Sequence, residues 1–253
     1  QNLFKETTDF GKLKNIDSII VGKYIYIRFD CFTGDAMGMN MVGKGVNNII
    51  QHLLEKFSDL KLISLSSNLC CDKKANAMNW IKGRGKSCNA ETIIKKEVLE
   101  KNFNVSVDDV IKVNINKNLI GSSMAGSIGG NNSHASNIIT GLFLATGQDP
   151  AQNIVSSNCL TIVEKTKNDD LYISVNMPSI EVGTVGGGTN ISPQKSCLEM
   201  LHVGGASKSP LNVGDNAVKL GQICCAVVLL GELSLICSLA SNTLINAHLK
   251  LNR

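Results

Sequence analysis

The sequence predicts an α+β fold in two parts, a small α/β unit over residues 1–64 and a larger, helix-rich unit over residues 65–253 with a buried central helix. Three observations predict it. A strand, a Gly-containing loop, a helix and a second apolar run follow one another before residue 65, the order of a compact α/β unit. Helical patterns dominate after Asn68. One long apolar stretch, Ile223–Ala240, carries Glu232 near its middle. A chain of 253 residues can bury a substantial core as one large domain or two small ones.

In the first unit, Lys23–Asp30 (KYIYIRFD) is rich in aromatic and β-branched residues, as strands are. Gly34 and Asp35 break that pattern. Val46, Ile49, Ile50, Leu53, Leu54 and Phe57 then recur at the spacing of one face of an amphipathic helix. Leu60–Leu65 is a second strand candidate. In the second unit Val107–Val113, Ser136–Ala145, Pro193–Val203 and Val218–Leu244 read as helices. Leu171–Val175 reads as a strand, with the helix-breaking Pro178 soon after. Gly121–Asn132 is a run of small residues that cannot build a core of its own.

Ile223–Ala240 is nearly long enough to cross a bilayer. A carboxylate at the centre of a span costs about 2.5–3.5 kcal/mol. Small residues (Gly231, Ser234, Cys237, Ala240) also recur along the stretch, as in a closely packed core helix. A buried helix is therefore the reading adopted.

The net charge of +4 suits a partner carrying phosphates, but dense Lys/Arg runs are missing and aromatics are only 4%, so no nucleic-acid partner is expected. Nine cysteines without a C-x-x-C pair give no zinc-site pattern and read as reduced thiols in the cytosol. His52, His134 and His202 have no metal-ligand spacing, and no metal is expected. The sequons at Asn104, Asn131 and Asn190 then read as chance. A first residue of Gln1 and a last of Arg253 within a polar stretch predict a piece of a longer protein.

Several residues are candidates for chemistry. Gly186, Gly187 and Gly188 can converge backbone N–H groups on a phosphate, or simply make a tight turn. Gly34–Met41 (GDAMGMNM) leads into a helix N-terminus that could receive an anion. Asp72–Lys73–Lys74 can bind a carboxylate or polarise a carbonyl, or form a solvated charge cluster. Asp149, after a helix C-terminus, needs a cationic partner unless it only starts an Asp–Pro turn. His248 lies five residues from the end, where histidines are usually exposed.

Taken in order, GDAMGMNM, the DKK loop with the following NW, IKGRGKS, NINKNLIGS, MAGSIGG, GQDPAQN, SSNC, DLYISVNMPSIEVGTVGGGTN and GELSL make a pattern. Through nearly the whole chain it resembles 3-hydroxy-3-methylglutaryl-coenzyme A (HMG-CoA) reductase, closest to the eukaryotic, NADPH-using class. The resemblance implies reduction of HMG-CoA by two NADPH to mevalonate and free coenzyme A. It implies Lys73, Asp149 and His248 as catalytic residues: oxyanion donor, partner of that lysine, and acid for the coenzyme A thiolate. Ser66, Asp72, Lys74, Lys117 and Asn137 would bind substrate. Asp35, Met37, Gly38, Met39, Asn40, Gly186, Gly187 and Gly188 would contact NADPH.

The small unit would be the later part of a ferredoxin-like nucleotide-binding lobe. A homo-oligomer, a dimer or a dimer of dimers, would share its active sites at a dimer interface, and an anchor upstream would hold the protein on the endoplasmic reticulum with this part facing the cytosol. The family's catalytic glutamate belongs to a segment upstream of Gln1, and Ala75 stands where a proline is usual. A non-catalytic nucleotide- or coenzyme-A-binding protein of the same fold is the alternative function.

Overall fold

The computed structural model describes residues 1–208 and 212–242. It opens with a short helix, α1 (Asn2–Lys5), and an antiparallel hairpin of β1 (Lys12–Val21) and β2 (Tyr24–Phe32). The hairpin closes at Gly22–Lys23, where Gly22 has φ 59° and meets the turn's need for a left-handed residue. Helix α2 (Met39–Lys56) lays Val46 and Ile49 inward. A small core of Phe4, Leu13 and Ile49 joins it to α1 and the hairpin. Leu60–Leu65 does not form the strand its composition predicts. It runs as irregular chain with Ile63 and Leu65 exposed, because no neighbouring strand offers it a ladder.

Then come α3 (Ala77–Lys82), β3 (Lys86–Ile94), α4 (Lys96–Phe103) and α5 (Val107–Val113). A π-helical stretch, Asn114–Gly121, continues α5 and runs into α6 (Ser122–Met124). The chain proceeds through β4 (Gly130–Asn131), α7 (Ala135–Thr146), a 3-10 turn (Pro150–Gln152), α8 (Asn153–Ser156), β5 (Cys159–Lys165) and β6 (Leu171–Ile180). A second 3-10 turn (Gly187–Asn190), α9 (Ser192–Met200) and α10 (Asp215–Ala240) complete the described elements.

The main sheet has the order β3-β6-β5-β4, antiparallel except for the short β4–β5 pair. β6 is its spine, with Leu171, Ile173, Val175, Met177 and Ile180 fully buried. Pro178 lies inside β6, opposite the β3 irregularity between Lys86 and Cys88, where the ladder needs no donor from it.

α10 packs on β3, β6 and α7. Close approach is possible because it presents glycine there: a Cβ on Gly221 would crowd the Lys86 side chain at 3.1 Å, and one on Gly231 would meet Ile138 at 2.9 Å. By length and apolarity α10 could cross a membrane. Here its Leu220, Val228 and Ile236 are core, and Glu232 is fully buried. The Glu232 carboxylate accepts from the amides of Ser133 (2.7 Å) and His134 (2.8 Å), just ahead of α7, and from Thr161 Oγ1 (2.9 Å). The carboxylate that would oppose a membrane span is thus the tie that joins α10, α7 and β5.

Candidate active site

Two of the three catalytic candidates, Lys73 and Asp149, meet in a cleft of about 720 Å³, a size suited to a small ligand. One wall is the entry to α2, Met37–Asn40; another is the glycine loop Gly186–Gly188; Lys73 and Asp149 face them. The two glycine-bearing segments are bound to each other. Ala36 bridges to Val185, the Asp35 carbonyl accepts from Thr184 N at 2.7 Å, and a Cβ on Gly183 would strike Met37 N at 2.4 Å. Gly147 is likewise pressed on Gly188, leaving 2.4 Å from an added Cβ to the Gly188 carbonyl oxygen. Gly186 and Gly187 are different. Both have positive φ, and an added Cβ would meet nothing within 4 Å, so their backbones face the open cleft. That geometry fits the anionic portion of a dinucleotide.

The Lys73 loop is built by its own polar residues. Asn68, Cys71 and Lys73 all have left-handed φ (61°, 54° and 57°), a conformation costing an L-residue about 1–2 kcal/mol. Asn76 caps α3 by accepting from Asn79 N at 2.7 Å, and Asn79 Nδ2 donates to the Cys71 carbonyl at 3.1 Å. Lys73 Nζ lies 2.7 Å from Asp149 Oδ2. Asp149 is also the N-cap of its 3-10 turn, its Oδ1 accepting from Ala151 N at 3.0 Å. The carboxylate that follows the C-terminus of α7 is thus held by a lysine and by the next helical turn. The hydrogen bond to Asp149 is the first cause that raises the Lys73 pKa; partial desolvation opposes it, and Asp149, Asp72 and Glu181 add to it electrostatically. The ammonium form is the one on hand for chemistry.

The other predicted residues fall at different depths. Asp72 lines the cleft, but its Oδ1 accepts from Gln152 Nε2 (2.7 Å) and Arg84 Nη2 (3.0 Å). Ser66 and Lys74 are exposed on the same loop and are not among the residues lining the cleft. Asp35 lies behind the wall: its carboxylate takes the amides of Ser207 (2.8 Å), Gly214 (3.2 Å) and Ala217 (3.0 Å), so any part in cofactor binding passes through the loop it holds. Lys117, on the π-helix, and Asn137, in the first turn of α7, are exposed and lie outside the cleft. His248 lies outside the described residues.

Sequence reasoning passed over Gln148, Gln152, Arg84 and Glu181. Gln148 pairs with Gly183 like a strand neighbour, accepting from its N and donating to its O, both at 2.9 Å. Glu181, an acid directly after the mostly apolar strand β6, is the one signal of a buried pair in the sequence.

The fold and the cleft define an α+β protein that sets a lysine–carboxylate pair against a glycine-lined cradle for an anion. A family model, hydroxymethylglutaryl-coenzyme A reductase, matches residues 1–253. The chain is 51% identical over 252 residues to the 3-hydroxy-3-methylglutaryl-coenzyme A reductase of Camptotheca acuminata, covering 99% of this chain and 42% of that protein. It is 51% identical over 251 residues to reductase 2 of Dictyostelium discoideum, covering 99% and 47%. Two solved reductase structures from Streptococcus pneumoniae, one a class II enzyme bound to NADPH, share the fold with TM-scores of 0.56 and 0.58 at 15% and 16% identity; each match covers 94% of this chain and 63% of the other. The chain therefore belongs to the hydroxymethylglutaryl-coenzyme A reductase family, and it spans less than half the length of these curated relatives.

Proposed function

We propose that the protein reduces HMG-CoA with two NADPH to mevalonate and free coenzyme A. The observation that carries this is the position of Lys73 and Asp149, in ion-pair contact beside the open glycine loop Gly186–Gly188. NADPH would supply hydride to the thioester carbon and then to the aldehyde carbon. Lys73 donates to the carbonyl oxygen and stabilises the negative charge that develops there in each reduction. Asp149 keeps that lysine protonated and aimed. Met37–Asn40 and Gly186–Gly188 hold the cofactor, while Asp35 fixes the first of these loops from behind.

Ser66 and Lys74 receive the far carboxylate of the substrate, and Asp72, between them on the same loop, helps to hold that end of the substrate. His248 protonates the departing thiolate, a role suited to imidazole near neutral pH. Residues 1–64 act as part of the nucleotide-binding lobe and residues 65–253 as the substrate lobe. A homodimer is part of the proposal, because Lys117 and Asn137 lie outside the cleft that holds Lys73. So is attachment to the endoplasmic reticulum through another segment, with this part facing the cytosol.

The test is NADPH oxidation by the full-length protein with and without HMG-CoA, together with release of free thiol. Oxidation that depends on HMG-CoA and yields thiol supports the assignment. Tight binding of both ligands with no oxidation would replace it with a non-catalytic binding function.

A further inference from the structure

Behind the Lys73 loop lies a charge cluster of which the mechanism above uses only Asp72. Arg84 follows α3 between two glycines of positive φ, and a Cβ on Gly85 would stand 2.4 Å from the Ile180 carbonyl oxygen, so the Arg84 backbone is pressed on the end of β6. Its guanidinium reaches four partners. Nη2 reaches Asp72 Oδ1 at 3.0 Å and Met39 Sδ at 3.2 Å, Nε reaches Glu181 Oε2 at 3.2 Å, and Nη1 donates to the Cys70 carbonyl. The Glu181 side chain is 3% exposed and that of Arg84 15%. Glu181 is fixed at its own backbone, where its N donates to Ser156 Oγ at 3.0 Å. Its Oε1 is buried without a hydrogen-bond partner, as are Gln152 Oε1 and Asn79 Oδ1, on two side chains that also brace this loop.

We propose that Glu181, acting through Arg84, is a positioning residue for Lys73: it holds the guanidinium that pins Asp72 and the Cys70 carbonyl, and so keeps Lys73 in its left-handed turn against Asp149. The inference rests on the reductase reading and adds to it a residue that never touches substrate. An ionised Glu181 grips Arg84 by a charge-assisted hydrogen bond, roughly twice as strong as a neutral one. A neutral Glu181 leaves the fork held by Asp72 and a carbonyl. Burial pushes the Glu181 carboxyl up to about 7; Arg84 opposes the shift, Asp72 and Asp149 add to it, and Lys73 opposes it. Among the described residues those four side chains are the charged groups acting on it. The grip on Arg84 therefore strengthens as pH rises through neutrality.

The test compares kcat and both KM values of the full-length protein with those of Glu181→Gln, Glu181→Asp and Glu181→Ala between pH 6 and 8.5. Gln keeps the shape and mimics the protonated acid. The expected wild-type to Glu181→Gln ratio of kcat is near one at pH 6 and about tenfold at pH 8, the size expected for a charge-assisted bond lost in the transition state. KM for NADPH should move less than kcat, since Arg84 touches the cofactor wall only at Met39 Sδ. Glu181→Asp should recover part of the alkaline rate, and Glu181→Ala should not. A kcat ratio that stays constant with pH would assign Glu181 a purely structural role and overturn the proposal.

Lys73 labelling by an amine-acylating reagent at pH 8, read by peptide mass spectrometry, needs no turnover. Greater labelling in Glu181→Gln than in wild type supports the proposal, and equal labelling overturns it. If the wild-type protein oxidises no NADPH with HMG-CoA, the reductase reading fails while the labelling comparison still decides this one.

Discussion

Lys73 and Lys117 were read from the sequence as two lysines of one site, yet the fold treats them differently. Lys73 is held by its own chain: Asp149 holds its ammonium, and Asp72, Arg84, Gln152 and Asn79 hold the loop that carries it. Among the described residues, Lys117 is held only from below. The π-helix that bears it is anchored by Asn114, which donates to the Thr161 carbonyl at 3.1 Å. Asn118 Nδ2 donates to Asn114 Oδ1 at 2.8 Å, and Ser133 Oγ donates to Asn118 Oδ1 at 3.0 Å. Above this buried floor the Lys117 side chain is exposed. π-helical turns often mark functional positions, because the wider turn displaces a side chain from the regular helical face. One region is a braced, ion-paired loop, half of a site on the reading proposed above, and the other is a presented surface.

The largest effect should come from the braced loop. Replacing Lys73 with Ala in the full-length protein should lower kcat by about 10²–10³ or more, the range for losing an oxyanion donor. Its thermal midpoint should barely change, since a pair as exposed as this one (40% and 30%) contributes about 0–1 kcal/mol at most. A large drop in midpoint would mean the pair is structural.

Next comes the floor beneath the presented surface. Glu232→Ala should cost about 3–5 kcal/mol in urea unfolding, because it leaves two amides and a threonine hydroxyl buried without their acceptor. A loss below about 1 kcal/mol would show that water replaces the carboxylate.

Glu181 gives a pH signature of comparable or slightly smaller size. Its carboxyl goes from 4.5 when unfolded to about 7 when folded, so between those values the folded chain binds a proton that the unfolded chain has released. Stability should be greatest below pH 4.5 as far as this group is concerned, fall by about 3 kcal/mol as pH rises to about 7, and stay level above that. Unfolding of Glu181→Gln across the same range should lack this fall. A variant that tracks the wild type at every pH would remove Glu181 as its source.

The smallest stability effect belongs to Lys117. Lys117→Ala should change the unfolding free energy by no more than about 0.5 kcal/mol, as exposed substitutions do, while reducing turnover.

How much of this was readable in the chain follows from burial. The amphipathic α2 was legible because it repeats apolar residues at helical spacing over several turns, and the core helix α10 because its apolar run is too long for a strand. β1 was not, since Lys12, Lys14, Asn15, Asp17 and Ser18 interrupt it and most of the strand is exposed, so neither alternation nor an apolar run marks it. β3 was hidden the same way by Lys86, Asn89 and Glu91. Leu60–Leu65 misled because apolar composition alone supplies no partner strand. In the site, the DKK loop and the glycines announced themselves by residue type. Arg84 and Glu181 did not, because their meaning lies in a contact across 97 residues that no local pattern encodes.

The comparison between the two lysines is decided by mixing subunits. Lys73→Ala and Lys117→Ala full-length proteins, each nearly inactive alone, would be unfolded or dissociated together and reassembled in equal amounts. If a dimer builds each site from Lys73 of one subunit and Lys117 of the other, half of the dimers are mixed and each mixed dimer has one intact site. The account therefore predicts recovery of about a quarter of the wild-type activity. A mixture no more active than the two variants separately would contradict it, and would place both lysines in a site formed within a single chain.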